Sequence, residues 1–134
     1  MKQRICTALV CIVSLGAGIP AWAHHSFSAA FDMNSPVTVQ GVIVQVRLEN
    51  PHSWFFLDVK DASGKVVNWE VELAAPAMLL RRGWTRNDLK VGEPVTVNGS
   101  LAKDGSNLLN GTAVTLSTGK KVFAGSSGGD GPNP

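Results

Sequence analysis

Short stretches of alternating apolar and polar residues dominate the middle of the chain, which is the pattern of half-buried β-strands. Glycine, asparagine, aspartate and proline separate these stretches and mark tight turns. The pattern predicts five strands, over 37–48, 53–60, 66–73, 95–101 and 108–117. A shorter apolar segment at 120–124 follows the fifth strand, and we expect it to pack against the others.

The first predicted strand changes its apolar phase at a glycine. Val37, Val39 and Gly41 share one period-two phase, whereas the alternate positions from Val42 to Leu48 keep the opposite one. Because successive side chains of a strand point to opposite faces, the change predicts a β-bulge or a bend at Gly41. A long strand bent in this way can contribute to two parts of a small closed barrel.

The second and third strands separate their residues into two faces. The predicted core face carries Phe55, Leu57, Val59, Val67, Trp69, Val71 and Leu73. The outer face carries the aromatic residues Trp54 and Phe56 and the carboxylates Glu70 and Glu72. A loop over 61–65, with a glycine suited to positive φ, joins the two strands as a hairpin.

The pattern changes to that of a short helix over 75–82, between the third and fourth strands. Pro76 suits its first turn and Gly83 its C-terminal end, and Trp84 is predicted to plug the core beneath it. The order β-β-β-α-β-β is that of the OB-fold, a five-stranded, partly open Greek-key barrel. We therefore predict an all-β domain with one short helix, because a lipocalin needs more strands and an immunoglobulin-like sandwich has no helix there.

The N-terminal residues have the features of a secretory signal peptide. Lys2 and Arg4 precede an apolar run over 5–18, and Ala21-Trp22-Ala23 is a small-x-small cleavage site. The run is short for a membrane span, so we predict cleavage after Ala23 and no stable membrane insertion afterwards. The mature chain would then comprise an N-terminal arm over 24–36, a barrel domain over 37–124 and a disordered tail over 125–134.

Cleavage would change the composition in two ways that bear on function. Cys6 and Cys11 would both be removed, which excludes disulfides and thiolate chemistry from the mature protein. Lys2 and Arg4 would also be lost, which leaves ten basic against ten acidic residues. Without a basic field to release counterions, nucleic acid is not an expected partner.

Cleavage would also place His24 at the start of the mature protein. A free α-amine has a pKa of about 8, so the amine and the ring of His24 can chelate one metal ion near neutral pH. His25 and His52 are the further candidate ligands, and Cu(II) is the expected metal because it binds nitrogen sites most tightly. On these residues alone the site resembles the histidine brace of copper-dependent polysaccharide monooxygenases and periplasmic copper carriers. The alternative is a metal-free start, with His52 bonded to a turn carbonyl.

The outer face of the second and third strands is the other candidate site. Trp54 and Phe56 would stack on a glycan or a protein partner, and Glu70 and Glu72 would repel a phosphate backbone. The alternative is that the N-terminal arm or the C-terminal segment covers both aromatic rings. Carboxylates on an outer strand face are usually solvated, and no serine-hydrolase motif is present, so a non-enzymatic binding or accessory module is predicted ahead of an enzyme.

Short motifs are distributed in a specific order along nearly all of the mature chain. They are His24-His25-Ser26-Phe27, Val39-x-Gly41, Asn50-Pro51-His52, Trp69-x-Val71-Glu72, Leu80-Arg81-Arg82-Gly83-Trp84, Lys103-Asp104-Gly105-Ser106 and Phe123-Ala124-Gly125. With these motifs the chain resembles a family of small exported proteins of Gram-negative bacteria known only as a domain of unknown function. The resemblance implies a periplasmic location and a fold similar to periplasmic OB-fold proteins, and it implies no activity.

Overall fold

The computed structural model describes residues 27–125, which form a partly closed β-barrel. The elements in this range are α1 (Phe27–Ala30), β1 (Phe31–Arg47), β2 (Ser53–Lys60), β3 (Val66–Leu73), α2 (Pro76–Arg81), β4 (Pro94–Ala102), β5 (Leu108–Thr115) and β6 (Lys121–Phe123). The bounds of β2 and β3 agree with the prediction, and the predicted last segment contains β6. The C-terminal tail predicted over 125–134 lies outside the described residues, apart from Gly125.

The strands pair in the order β3-β2-β1-β4-β5-β6, and a short parallel pairing between β3 and β5 closes the barrel. Every other neighbouring pair is antiparallel. The predicted fold class is confirmed: the sheet is OB-like, with α2 between β3 and β4 and with β6 added beside β5. Neither helix of the described range is long and apolar enough to cross a membrane.

β1 differs from its prediction in two ways. It begins at Phe31 rather than at residue 37, so the second half of the predicted N-terminal arm belongs to the sheet. The bulge lies at Val44, because Ile43 pairs with Leu57 while Gln45 pairs with Phe56. The prediction of a β-bulge at Gly41 is therefore wrong, and the alternative of a bend there stays a prediction.

At Gly41 the backbones of β1 and β2 approach each other closely, and no bulge is present there. A Cβ atom at this position would lie 2.8 Å from the backbone oxygen of Asp58 on β2. Val39 and Ile43 on either side of it are buried, so Gly41 continues their inward phase. A glycine in a strand marks either a bulge or a close approach of two backbones, and the sequence does not distinguish them.

The barrel interior is filled by alternate residues of β1 to β5 and by residues around α2. The fully buried side chains include Ile43, Phe55, Leu57, Val71, Leu73, Val97, Leu109 and Val114. Trp84 plugs the core as predicted, since it is only 5% exposed and its Nε1–H donates to the backbone oxygen of Phe123 at 2.8 Å. Gly83, with φ of +89°, ends the α2 segment and turns the chain back toward the barrel.

Gly99 is the tightest glycine position in the sheet. A Cβ atom there would lie 2.2 Å from the backbone oxygen of Asn110 and 2.7 Å from Cδ1 of Leu109. We expect Gly99→Ala to lower the free energy of unfolding by about 2 kcal/mol, because neither β4 nor β5 can move without disturbing the core. Urea unfolding would measure this loss, with the exposed neighbour substitution Asn98→Ala as the control. Equal stability of the two variants would contradict the close approach.

Candidate functional site around His52 and Glu72

His52 lies immediately before β2, directly after the turn at Asn50 and Pro51, whose peptide bond is cis. The backbone N–H of Ser53 donates to the oxygen of Ala74 at 3.2 Å, which extends the β2–β3 ladder to this end of the sheet. Because side chains alternate along a strand, His52 shares the outer face with Trp54 and Phe56. The structure thus places the predicted metal ligand on the predicted aromatic face, which the sequence analysis treated as a separate site.

Glu72 contacts His52 from the neighbouring strand. Oε1 of Glu72 lies 2.6 Å from Nδ1 of His52, and the two side chains are 8% and 29% exposed. The prediction that Glu72 is a solvated carboxylate is wrong, whereas Glu70 is exposed as predicted. The cause is non-local: at Glu72, β3 pairs with Trp54 of β2 on one side and with Asn110 of β5 on the other.

The contact with Glu72 determines what the His52 ring can do chemically. A neutral imidazole that donates its Nδ1 proton to a carboxylate presents the lone pair of Nε2 to a ligand. The buried carboxylate also fixes the orientation of the ring. This arrangement is typical of metal-ligating histidines, most of which donate their second ring nitrogen to a carboxylate, a carbonyl or water.

The aromatic residues of this face are half-buried and have a basic neighbour. The guanidinium carbon of Arg47 lies 4.9 Å from the ring centroid of Phe56, which is the distance of a cation–π contact. Arg47 pairs with Trp54 across β1 and β2 and lies 3.8 Å from Glu49. Arg47 on β1 therefore lies over the ring of Phe56 on β2. The sequence pattern did not indicate this contact, because the pairing of Arg47 with β2 depends on the bulge at Val44.

Asn110 is a second residue of this region that sequence analysis missed. It is fully buried, and its strand position is opposite Glu72 in the parallel pairing of β5 with β3. A polar residue at a buried position is informative, since burial of an amide is costly without hydrogen bonds. No local signal identifies it, because its burial depends on the closure of the barrel.

The N-terminal helix α1 is tied to the loop 103–107, and this loop is bonded to β3. The backbone N–H of Lys103 donates to the oxygen of Ala30 at 2.9 Å, and its Nζ donates to the oxygen of Ser28 at 2.6 Å. At the other end of the loop, the oxygen of Asn107 accepts the N–H of Glu70 at 2.9 Å. α1 is thus connected by one short loop to the strand that carries Glu72.

The rings of Phe27 and Phe31 stack with centroids 5.3 Å apart, and Phe31 is buried. These contacts fix the point at which the chain enters the fold. His24 and His25, predicted as metal ligands, lie outside the described residues, just before Phe27. Within 27–125 no group of three or more histidine, cysteine, aspartate or glutamate side chains is placed to hold a metal ion. A metal bound at His52 would therefore take further ligands from elsewhere.

No curated protein matches the chain significantly. The model of a family described as "Family of unknown function (DUF6152)" matches residues 11–112. This range is most of the 134-residue chain and includes α1, both members of the His52–Glu72 pair and Asn110. The chain therefore belongs to the family of unknown function DUF6152.

Proposed function

We propose that the protein is a non-enzymatic binding protein of the periplasm that binds Cu(II). The ligands are the α-amine and ring of His24 at the mature N-terminus, Nε2 of His52 and, as a further candidate, His25. The observation that carries the proposal is the 2.6 Å contact between Nδ1 of His52 and the buried carboxylate of Glu72. It gives the His52 ring the orientation that a metal ligand requires.

The charge of the Glu72 carboxylate favours a cation at this position. A Cu(II) ion bound at Nε2 of His52 would be attracted by this negative charge through the imidazole ring. Cu(II) also prefers tetragonal nitrogen coordination, which an amine and two or three imidazoles can provide.

The segment between His24 and α1 is short. Three residues, 24 to 26, precede Phe27, and three extended residues span at most about 10 Å. α1 is held to the loop 103–107, and the backbone oxygen of Asn107 in this loop accepts the backbone N–H of Glu70 on β3. These connections support an approach of His24 to His52, provided that the signal peptide is cleaved after Ala23.

Copper titration of the mature chain beginning at His24 tests the proposal. Calorimetry should show one tight site, and electron paramagnetic resonance should show nitrogen coupling. A Gly-Ser-Gly-Ser extension before His24 removes the chelating amine without creating a new amine–histidine chelate at the second or third position. We expect this extension to weaken binding at least tenfold, or about 1.4 kcal/mol.

His52→Ala distinguishes the proposed site from copper binding by the N-terminus alone. We expect this variant to bind copper more weakly than the unaltered chain. Its electron paramagnetic resonance spectrum should show coupling to one nitrogen fewer. Equal affinity and an equal spectrum for His52→Ala and the unaltered chain would remove His52 from the site. Equal affinity for the extended and unextended chains would contradict the whole proposal.

A metal-free interaction module on the same face is the second candidate function. Arg47 pairs with the half-buried Trp54 and lies over Phe56. This cluster favours the second candidate, because tryptophan and arginine are enriched at binding hot spots. Such a module would bind a glycan or a periplasmic protein, would respond to Trp54→Ala and would be indifferent to copper. A copper site would show the opposite dependence.

A further inference from the structure

An unpaired edge of β1 borders a cleft at one end of the barrel. Within the described range, the ladder between β1 and β2 ends at Val42 and Asp58. β1 pairs with β4 from Phe31 to Val42, whereas β2 continues to Lys60 in pairing with β3 only. Before Val42, β1 therefore has a described strand partner on its β4 side and none on its β2 side. An unpaired strand edge is a template for the addition of a further strand.

The hydrogen bonds of Ile43 show which backbone groups lie along this edge. Its N–H donates to the oxygen of Glu93 at 3.0 Å, and its oxygen accepts the N–H of Gly92 at 2.7 Å, both on the β4 side. Successive residues of an antiparallel strand direct these groups to alternate sides. Gln40 and Thr38 lie three and five residues before Ile43. They therefore direct their N–H and C=O groups away from β4 and into the cleft.

Two features set the bounds of the edge. β1 shifts its register against β4 between Asp32 and Pro36, and Pro36 has no N–H to donate. At the other end, a Cβ atom on Gly41 would lie 2.8 Å from the backbone oxygen of Asp58, so β1 and β2 leave no space for a third strand there. The edge that can accept a strand is therefore 37–40.

The cleft beside this edge has an apolar wall, formed by Val37, Val59 and Trp69. These three side chains pack against the core and remain partly exposed. The cavity volume is about 470 Å³, which lies within the range of clefts that bind ligands. The lining residues are Val37, Thr38, Val39, Gln40, Val59, Lys60 and Trp69. The apolar wall and the unpaired backbone groups of β1 therefore border the same cavity.

The backbone edge and the apolar wall together select an extended peptide. Such a peptide pairs its own N–H and C=O groups with Gln40 and Thr38, and every second side chain reaches the apolar wall. A glycan or an apolar small molecule can contact the wall but lacks paired N–H and C=O groups at the spacing of a strand. Charge does not contribute to this choice, because Lys60 is the only charged residue among the described residues of the lining.

We propose that the cleft between β1 and β2 binds an extended segment of a partner protein by β-strand addition. The segment pairs with Gln40 and Thr38 and places an apolar side chain against the apolar wall. Main-chain hydrogen bonds then supply affinity, and the side chain that enters the cleft supplies specificity. None of these residues belongs to the proposed copper site, so the proposal is independent of copper binding.

Fluorescence anisotropy with a labelled Lys-Val-Thr-Leu-Thr-Val-Thr-Glu peptide tests the proposal on the mature chain. Two N-methylated forms of this peptide are matched to each other: one is methylated on the valines and the leucine, the other on the threonines. Each form removes the N–H donors from one edge of the extended peptide and leaves those of the other edge intact. We expect saturable binding of the unmodified peptide, and we expect one methylated form to bind at least about tenfold more weakly than the other.

Substitutions at Gln40 separate the role of its backbone from that of its side chain. Gln40→Pro removes the N–H that faces the cleft and removes no donor that faces β4. Gln40→Ala keeps this N–H and removes the side chain. We expect Gln40→Pro to weaken peptide binding by at least about tenfold and Gln40→Ala to leave it unchanged. Circular dichroism would show whether both variants are folded, and the two methylated peptides test the proposal on the unaltered chain in either case.

The proposal would be overturned by an absence of peptide binding up to about 1 mM. Equal affinity of the two methylated peptides, or equal losses for Gln40→Pro and Gln40→Ala, would also overturn it, because the backbone edge would then not be the contact. Binding of cellohexaose in place of the peptide would assign the cleft to a glycan. Self-association of the mature chain that Gln40→Pro abolishes, without peptide binding, would assign the edge to a second copy.

Discussion

Trp84→Ala is expected to lower the free energy of unfolding by about 4 kcal/mol. Trp84 is 5% exposed and packs beneath α2, where its ring fills the end of the barrel. Its removal would leave a cavity that the sheet cannot close, because β5 and β6 are already paired. The indole N–H also holds the oxygen of Phe123 at 2.8 Å, so this carbonyl would lose its donor.

Urea unfolding monitored by circular dichroism would measure this loss. Trp84→Phe separates packing from hydrogen bonding, since it keeps most of the ring and removes the N–H donor. We expect it to cost about 1 kcal/mol, the usual value of one hydrogen bond. Equal losses in the two variants would show that the bond to Phe123, and not the volume of the ring, holds α2 on the barrel.

Glu72→Gln is expected to weaken Cu(II) binding by about 10- to 100-fold, provided that the proposed site is correct. Glutamine keeps the size of the side chain and an acceptor oxygen for Nδ1 of His52, but it removes the negative charge. The charge stabilises the metal-bound imidazole, so its loss should act on affinity more than on folding. Copper calorimetry at constant pH would give the change in affinity.

Glu70→Gln provides the matched control on the same face of β3. Glu70 is exposed, and its position is two residues from Glu72, so solvent should screen its effect on the metal. Equal losses for the two variants would indicate a general effect of charge and not a specific contact. Unchanged copper affinity in Glu72→Gln would mean that the pair with His52 is structural.

The fold of this protein was largely predictable from local pattern. Period-two alternation and turn residues gave β2 and β3 their bounds, and the change of period at Pro76 gave α2. These features depend on residues close together in sequence, where propensity and side-chain direction act. The position of the bulge was not predictable in this way, because Gly41 offered a local explanation and Val44 offered none.

The candidate site was only partly predictable for the same reason. Trp54, Phe56 and Glu70 lie on the outer face where alternation placed them. The burial of Glu72 and Asn110 follows from the pairing of β3 with β5, two strands far apart in sequence. The contact of Glu72 with His52 lies within the pairing of β2 with β3. The contributions of His24 and His25 remain predictions.

The parallel pairing of β3 with β5 has a consequence for how the native barrel opens. It comprises only three residue pairs, and Glu72 belongs to the last of them. β3 and β5 can therefore separate while every antiparallel pairing stays intact. The amide hydrogens that join these two strands should then exchange by local opening and not by global unfolding. A ligand bound to both His52 and the N-terminal arm would join the two sides of the gap. At 100 times its dissociation constant it would oppose this opening by about 2.7 kcal/mol.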